Sequence, residues 1–464
     1  MHPDIDPHRL TTQLNGINRR TLLALLATPA FISALSALQS CSSDPSGSSV
    51  SPTTPGAQQP TGPARSDKPR LATSVGDSAT AAKAINDFGV DLYIMLTAQP
   101  PNASPNLVVA PVSIAIALAM TRAGARGVTA AEMDTVLHIP FDVQGGLDHS
   151  MNALSAAVES RTRTVERPEN EPVDITLSIA NSLWGQKGLA FETAFLDVLA
   201  SEYGAGLQLV DYKSDPNGAR KLINAWVDDA TKSRIPELLA DGAITPATRL
   251  TLVNAIYMKA PWLYKFDKKF TADAAFTTEP GTTVQSPFMH LEHDLNYTRG
   301  SGWQVLELPY IGDDLSMLVG LPDSDGTLAE TVAALSSIGS LATTRQVTLS
   351  MPSFDIETAV GLGDVLSAMG MPKAFSDSAD FSGMTLDEQL FIGAVIHQAN
   401  ITVDEEGTEA AAATAVVMMA TSAPLPQEPV ELVLDRPFVF AIRDNPTGTL
   451  LFVGHIADPT QTRG

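Results

Sequence analysis

Cysteine is nearly absent: Cys41 is the single one in 464 residues, so no intrachain disulfide supports the fold. Positive charge is also short, with 29 Lys and Arg against 52 Asp and Glu, a formal charge of −23, and no Lys/Arg cluster that stands out. That balance argues against nucleic acid or heparin-like polyanions as partners. There is no Gly-x-Ser-x-Gly elbow and no His-Glu-x-x-His helix, so a hydrolase would lack its recognisable nucleophile or metal site. No uninterrupted apolar run reaches the ~20 residues of a membrane span.

The nearest approach to such a run, Leu22 to Leu38, contains Pro29 and follows Asn18-Arg19-Arg20-Thr21. Paired arginines before an apolar stretch fit an export signal of the twin-arginine type over residues 1–41; a single membrane anchor is the other reading. Leu38-Gln39-Ser40-Cys41 resembles a bacterial lipobox, with Gln39 departing from the small or aliphatic residue usual there. Lipidation at Cys41 would hold the protein at a membrane. Residues 42–75, rich in Ser, Pro, Thr and Gly, read as a disordered tether. The expected form is an exported protein, a cell-surface lipoprotein or extracellular, with its folded domain at 76–464.

With 44% hydrophobic and 17% charged residues the remainder can bury a large core. Ala84, Phe88, Leu92 and Leu96 recur every four residues and predict a helix with one apolar face. A short strand broken at Pro111 leads into a buried helix, and Thr129 with Glu132 predicts a capping box. The stretch from Val143 to Ile175 is weakly patterned and reads as helix and loop. Strands are expected at Ile179–Trp184, Leu207–Tyr212, Leu250–Trp262 and Val347–Pro352, with helices at Phe191–Tyr203 and Ala219–Lys232. Hairpins are expected for Val305–Tyr310 with Leu315–Pro322, and for Asp435–Ile442 with Leu451–Pro459. This mixed order predicts an α+β fold.

The stretch from Asp404 to Ser422 is unusual. It follows an apolar run with strand character, Leu390 to Ile396, and precedes three prolines, Pro424, Pro426 and Pro429. By composition it is an Ala-rich exposed helix or linker. As a strand, it would place Thr408, Ala410, Ala412, Thr414 and Val416 on one face, all small or β-branched and uncharged. Glu409 would fall on the other face with Ala411 and Ala413. Gly407 supplies a pivot after Glu405 and Glu406. Such a segment can be buried in the middle of a sheet without an unpaired charge.

Glu405 to Thr414 resembles the hinge of the reactive-centre loop of an inhibitory serpin. Asn106–Met120, Gly124–Glu132, Ile179–Trp184, Leu366–Met384 and the C-terminal hairpin are also similar to serpin segments, so the resemblance covers about residues 80 to 460. It implies several helices packed on three β-sheets, with an exposed loop. It also implies a monomeric inhibitor of serine-type endopeptidases, not an enzyme, that acts as a suicide substrate. The bait bond would be Thr421–Ser422, within a window from Met419 to Ser422. About 15 residues inserted at ~3.3 Å each would span roughly 50 Å, close to the diameter of a domain of this size.

The uncharged candidates fit the pocket of an elastase-, subtilisin- or chymotrypsin-like protease, with a cysteine protease as the second case. The resemblance places Ser113, Asn254 and His397 together as the shutter where the central sheet parts, with Ala110 where many serpins have another serine. Trp262 is expected at the breach beneath the opening, or as an ordinary core aromatic. Ser353 stands where many serpins have a basic partner for Glu405, so that ion pair is expected to be missing. His290-Leu291-Glu292-His293 could offer imidazoles to a metal but lies in a segment similar to a structural strand, and no metal or cofactor is expected. Two rivals remain open: a non-inhibitory serpin acting as binder or carrier, and a surface hydrolase.

Overall fold

The computed structural model describes residues 63–98, 105–140, 146–167, 171–339, 341, 343–408 and 428–462. Cys41, Glu409 to Thr414, Thr421 and Ser422 lie outside these ranges. The described elements belong to one compact unit within residues 58–464. Its helices are α1 (Ala79–Thr97), α2 (Pro111–Arg122), α3 (Gly127–Val136), α4 (Leu147–Glu159), α5 (Thr193–Tyr203), α6 (Pro216–Ala230), α7 (Leu328–Ser337) and α8 (Gly363–Met369). Strands β1 (Leu107–Val109), β2 (Arg163–Glu166), β3 (Pro172–Gln186), β4 (Leu207–Val210) and β5 (Leu250–Pro261) come first. Then follow β6 (Ala272–Glu279), β7 (Thr282–Gly300), β8 (Trp303–Pro309), β9 (Leu315–Pro322), β10 (Thr344–Pro352) and β11 (Phe354–Gly361). The last are β12 (Ala394–Val403), β13 (Gly407–Thr408), β14 (Val430–Val433), β15 (Phe438–Asp444) and β16 (Thr449–Ile456).

These make the expected α+β fold, with two of the three expected sheets joined into one through the long β7. One sheet runs β11-β12-β13-β5-β3-β2, with β4 also paired to β3. The other runs β1-β16-β15-β9-β8-β7-β10-β14, with β6 on β7. The long β7 turns this second sheet, pairing with β6 and β10 along most of its length and with β8 at its end. Helix α2 is buried along its length and touches β3 and β5 on one side and β16 on the other, as a helix apolar all round must. Pro111 opens it, at the position where a missing N–H costs nothing. On the opposite face of the first sheet, α6 covers β3 and β5, and Ile223 and Val227 pack with Val253 and Ala255 in a smaller core.

Ala84, Phe88, Leu92 and Leu96 are buried along α1, and both expected hairpins form as β8–β9 and β15–β16. Several local expectations are corrected. Helix α3 begins at Gly127, so Thr129 lies inside it and makes no capping box with Glu132. Thr129 Oγ1 accepts from the Asp380 N–H at 2.9 Å and a Glu132 carboxylate oxygen from the Lys373 N–H at 2.9 Å, so distant backbone donors take both caps. The weakly patterned region contains α4, β2 and the start of β3; β2 is a polar edge strand, which carries no apolar alternation. In the apolar run from Leu390, strand geometry starts only at Ala394.

The segment 63–75, read as tether, is docked instead. Ala64 exchanges two backbone hydrogen bonds with Leu207 on the outer edge of β4, at 2.8 and 2.9 Å. Leu71 N–H donates to the Ser201 carbonyl at 2.7 Å, Lys68 pairs with Asp197 at 2.9 Å, and Arg70 reaches Asn152 at 2.7 Å and Glu159 at 2.8 Å. Composition predicted disorder because it cannot register a sheet edge that lies more than a hundred residues away.

Candidate functional site

The centre of the first sheet holds a parallel seam. Strands β12 and β5 pair in parallel through six rows, from Ala394 opposite Thr251 to Ala399 opposite Ile256. Above these rows they part, and β13 fills the gap: Thr408 faces Val403 of β12 on one side and Ala260 of β5 on the other, antiparallel to both. Thr408 is buried, and its hydroxyl bonds to that of Tyr310 at 2.6 Å. Two residues of the predicted hinge therefore already lie within the sheet.

Gly407 makes that entry possible. Its φ is +153°, and a Cβ there would lie 2.3 Å from the Ala260 carbonyl oxygen and 2.7 Å from Pro261 Cα. The turn before it is closed by Asp404, whose carboxylate accepts from the Glu406 and Gly407 N–H groups at 2.8 and 3.2 Å. Burial of Asp404 raises its carboxyl above the usual carboxylate range, outweighing those two bonds.

Trp262 sits at this opening as a buried aromatic. Its ring stacks on Tyr310 with centroids 4.5 Å apart and meets the edge of Phe266. Its indole N–H donates to the Asp404 carbonyl and its backbone N–H to the Glu406 carbonyl, both at 2.9 Å. Among the described residues Glu405 makes no ion pair, in line with the serine at position 353. Ser353 donates its N–H to Pro287, and Glu405 accepts from the Thr271 hydroxyl at 2.7 Å. The ion pair is made by the next residue: Glu406 meets Lys265 at 2.8 Å and Lys268 at 3.9 Å. Sequence reasoning missed these lysines, although Lys265, Lys268 and Lys269 form a basic cluster just after Trp262 in an acidic chain.

Six residues below Thr408, the three residues expected to meet as a shutter fall instead into two separate pairs. His397 and Asn254 face each other across the seam; the ring Nδ1–H donates to Asn254 Oδ1 at 2.5 Å, and Nε2 accepts from the Ala110 N–H at 3.1 Å. The backbone of Ala110 thus supplies a hydrogen bond without a serine side chain. Burial alone lowers the His397 pKa to about 3, so the ring is neutral at pH 7. Ser113 does not join this pair; its hydroxyl donates to Asn181 Oδ1 on β3 at 2.9 Å. Asn181 lies opposite Asn254 across β3 and β5, and its role had no signal in the local pattern.

The two histidines of the candidate metal stretch diverge. His290 bonds to Ser350 at 2.7 Å, and His293 stacks on Tyr264 with ring centroids 3.5 Å apart. Among the described residues, no three His, Cys, Asp or Glu side chains group to hold a metal.

The family model described as Serpin (serine protease inhibitor) matches residues 83–459. The chain is 38% identical over 386 residues to a leukocyte elastase inhibitor of Bos taurus, covering 80% of this chain and 97% of that protein. It is 36% identical over 388 residues to Iris of Ixodes ricinus, covering 82% and 99%. Among solved structures, Serpin48 of the insect Tenebrio molitor superposes with a TM-score of 0.68 at 31% identity, covering 81% of this chain and 97% of that one. Thyroxine-binding globulin in complex with thyroxine gives a TM-score of 0.69 at 27% identity, covering 82% and 99%. The chain belongs to the serpin family, a family of protease inhibitors.

Proposed function

We propose that this protein inhibits serine-type endopeptidases as a suicide substrate, with its bait bond at Thr421–Ser422. The observation that carries this reading is β13, a hinge segment already seated at the top of a seam that is zipped below it. After cleavage, residues 409 onward would continue down the same path. Continued residue by residue, the register of Thr408 brings Ala410 between Ile401 and Met258, Ala412 between Ala399 and Ile256, and Thr414 between His397 and Asn254. All six of those sheet residues are buried, so the inward positions need small, uncharged side chains, and the hinge supplies them.

Thr414, the one hydroxyl among the inward positions from 410 to 416, would then lie beside the polar pair that insertion has to separate. It can accept from the His397 ring and donate to Asn254, which restores hydrogen bonds lost as the seam opens. Glu409 would face outward beside Lys259 and Thr402, both half-buried. The native state is then metastable, held by the cost of unzipping the seam rather than by equilibrium. An enzyme linked to the cut loop through an acyl bond would be carried along the sheet, and its active site distorted before water releases it.

The uncharged residues from Met419 to Ser422, together with relatives named as elastase inhibitors, favour an elastase-like target over an enzyme with an acidic specificity pocket. Incubating the full chain with pancreatic elastase and with subtilisin is the test. A complex that survives boiling in detergent, with a released peptide beginning at Ser422, supports both mechanism and bond. Cleavage alone by both enzymes, with no gain in thermal stability of the cut protein, favours a carrier.

For location, we propose export with lipidation at Cys41 and a leash ending at the docked segment that begins near Ala64. Cys41→Ala should move the protein from the membrane to the soluble fraction; an unchanged distribution contradicts the anchor.

A further inference from the structure

We propose that Lys265 is a positioning residue for loop insertion: through Glu406 it pins the hinge in the register from which the rest of the loop enters the seam. The inference rests on the inhibitory reading above. The two side chains are 11% and 12% exposed and 2.8 Å apart, so each is largely withdrawn from water and held by the other. Lys268 stands 3.9 Å from the same carboxylate and is 60% exposed, a weaker and more hydrated neighbour.

The position of the pair gives it this role. Lys265 follows β5 by four residues, and Glu406 immediately precedes β13. The pair therefore ties one wall of the opening to the segment that fills it. A two-residue strand makes too few ladder bonds to offset the entropy of fixing it, so contacts outside the ladder must hold it. The Asp404 turn shapes the entry and Trp262 grips its backbone, while Lys265 and Lys268 provide the ionic contacts to the hinge at Glu406. Insertion proceeds downward from Glu409, so the pair above need not break while the loop moves. It acts as a fixed pin.

Register is what the pin protects. A slip of one residue would exchange the two faces of the incoming strand and turn Glu409 toward the buried side chains of Met258 and Ile401. Such an attempt stalls, and a stalled acyl-enzyme hydrolyses. A hinge held with Thr408 already opposite Ala260 starts in the productive register, and trapping then outruns release.

The test uses the full chain with Lys265→Met and Glu406→Gln as separate variants, and a reversed pair carrying Lys265→Glu with Glu406→Lys. In the uncut protein, amide exchange of Glu406 to Thr408 should speed up about tenfold in each single variant and recover in the reversed pair. Against an enzyme that traps the parent protein, the number of inhibitor molecules consumed per enzyme inactivated should rise about three- to tenfold. The rate of first attack on the bait bond should change less than about twofold, because the pin does not touch that bond. Recovery in the reversed pair separates a charge-specific pin from general loss of packing. Unchanged exchange, or increased exchange with unchanged consumption and no recovery, overturns the proposal. If the parent traps neither elastase nor subtilisin, the inhibitory reading is what fails, and the exchange data still decide whether Lys265 holds the hinge.

Discussion

The upper and lower halves of the β5–β12 seam are built in opposite ways. Above Ile256 the strands stand apart, and the space is filled by Thr408 with an aromatic floor of Trp262 and Tyr310. Below, six rows are zipped in parallel and a buried His397–Asn254 pair bonds across them. The upper half holds a short strand, β13, between β5 and β12, and under the proposed mechanism the lower half would receive its continuation. Under that mechanism the difference would separate two tasks: the top would fix where insertion starts, and the bottom would set how much must be broken before it finishes.

The largest expected effect comes from spoiling the lower half for the incoming strand. Ala412→Arg would place a charge between Ala399 and Ile256, both fully buried. Trapping should fall by about a hundredfold or more, with the bait bond still cut, because a buried unpaired charge costs several kcal/mol. Ala411→Arg, one residue away but on the outward face beside Tyr257 and Asn400, should keep most trapping. Equal loss in both variants, measured as complex on denaturing gels, would break the assignment of faces.

Next comes the zipped pair itself. His397→Ala removes the ring that joins Ala110, Asn254 and the seam, leaving a buried donor and a buried acceptor unpaired. The uncut protein should lose about 2–4 kcal/mol in urea titrations. Variants of the upper half, such as Thr408→Ala, should lose about 1 kcal/mol, the value of one hydrogen bond.

The central strand was legible in the sequence, whereas the hinge was read there from its resemblance to serpins, which strand periodicity supports without establishing. Small residues alternating from Thr408 to Val416 announce a face that can be buried, and the apolar run through Leu250–Pro261 announces a central strand. The lysines at Glu406, the partner of Ser113 and the docking of 63–75 were not legible, because each is a contact between distant segments. Thr129 teaches the same lesson in reverse. Its local spacing to Glu132 matched a capping box, and tertiary hydrogen bonds from Asp380 and Lys373 prevailed.

Acid sharpens the comparison at intermediate size. The folded-state pKa of His397, about 3, lies below the ordinary value of 6.5, so the folded protein resists protonation that the unfolded chain accepts. Its contribution to stability is complete above pH 6.5 and declines as pH falls from there toward 3, at about 1.4 kcal/mol per pH unit. His397→Gln should flatten that part of the urea-midpoint profile; a parallel profile would contradict a buried neutral ring. The smallest effect belongs to Lys259, which would meet Glu409 only after insertion. Lys259→Ala should lower the stability of the cut form by at most about 1 kcal/mol and leave the uncut form unchanged, as for an ion pair near the surface.

The central claim is that cutting the loop lets it complete the lower half of the seam. Thermal unfolding of the protein before and after a single cut between Met419 and Ser422 tests this most directly. A sharp rise in the midpoint of the cut form is predicted, since insertion buries the Ala410, Ala412, Thr414 and Val416 face. An unchanged midpoint would mean that the seam stays closed below Ile256 and would contradict the account.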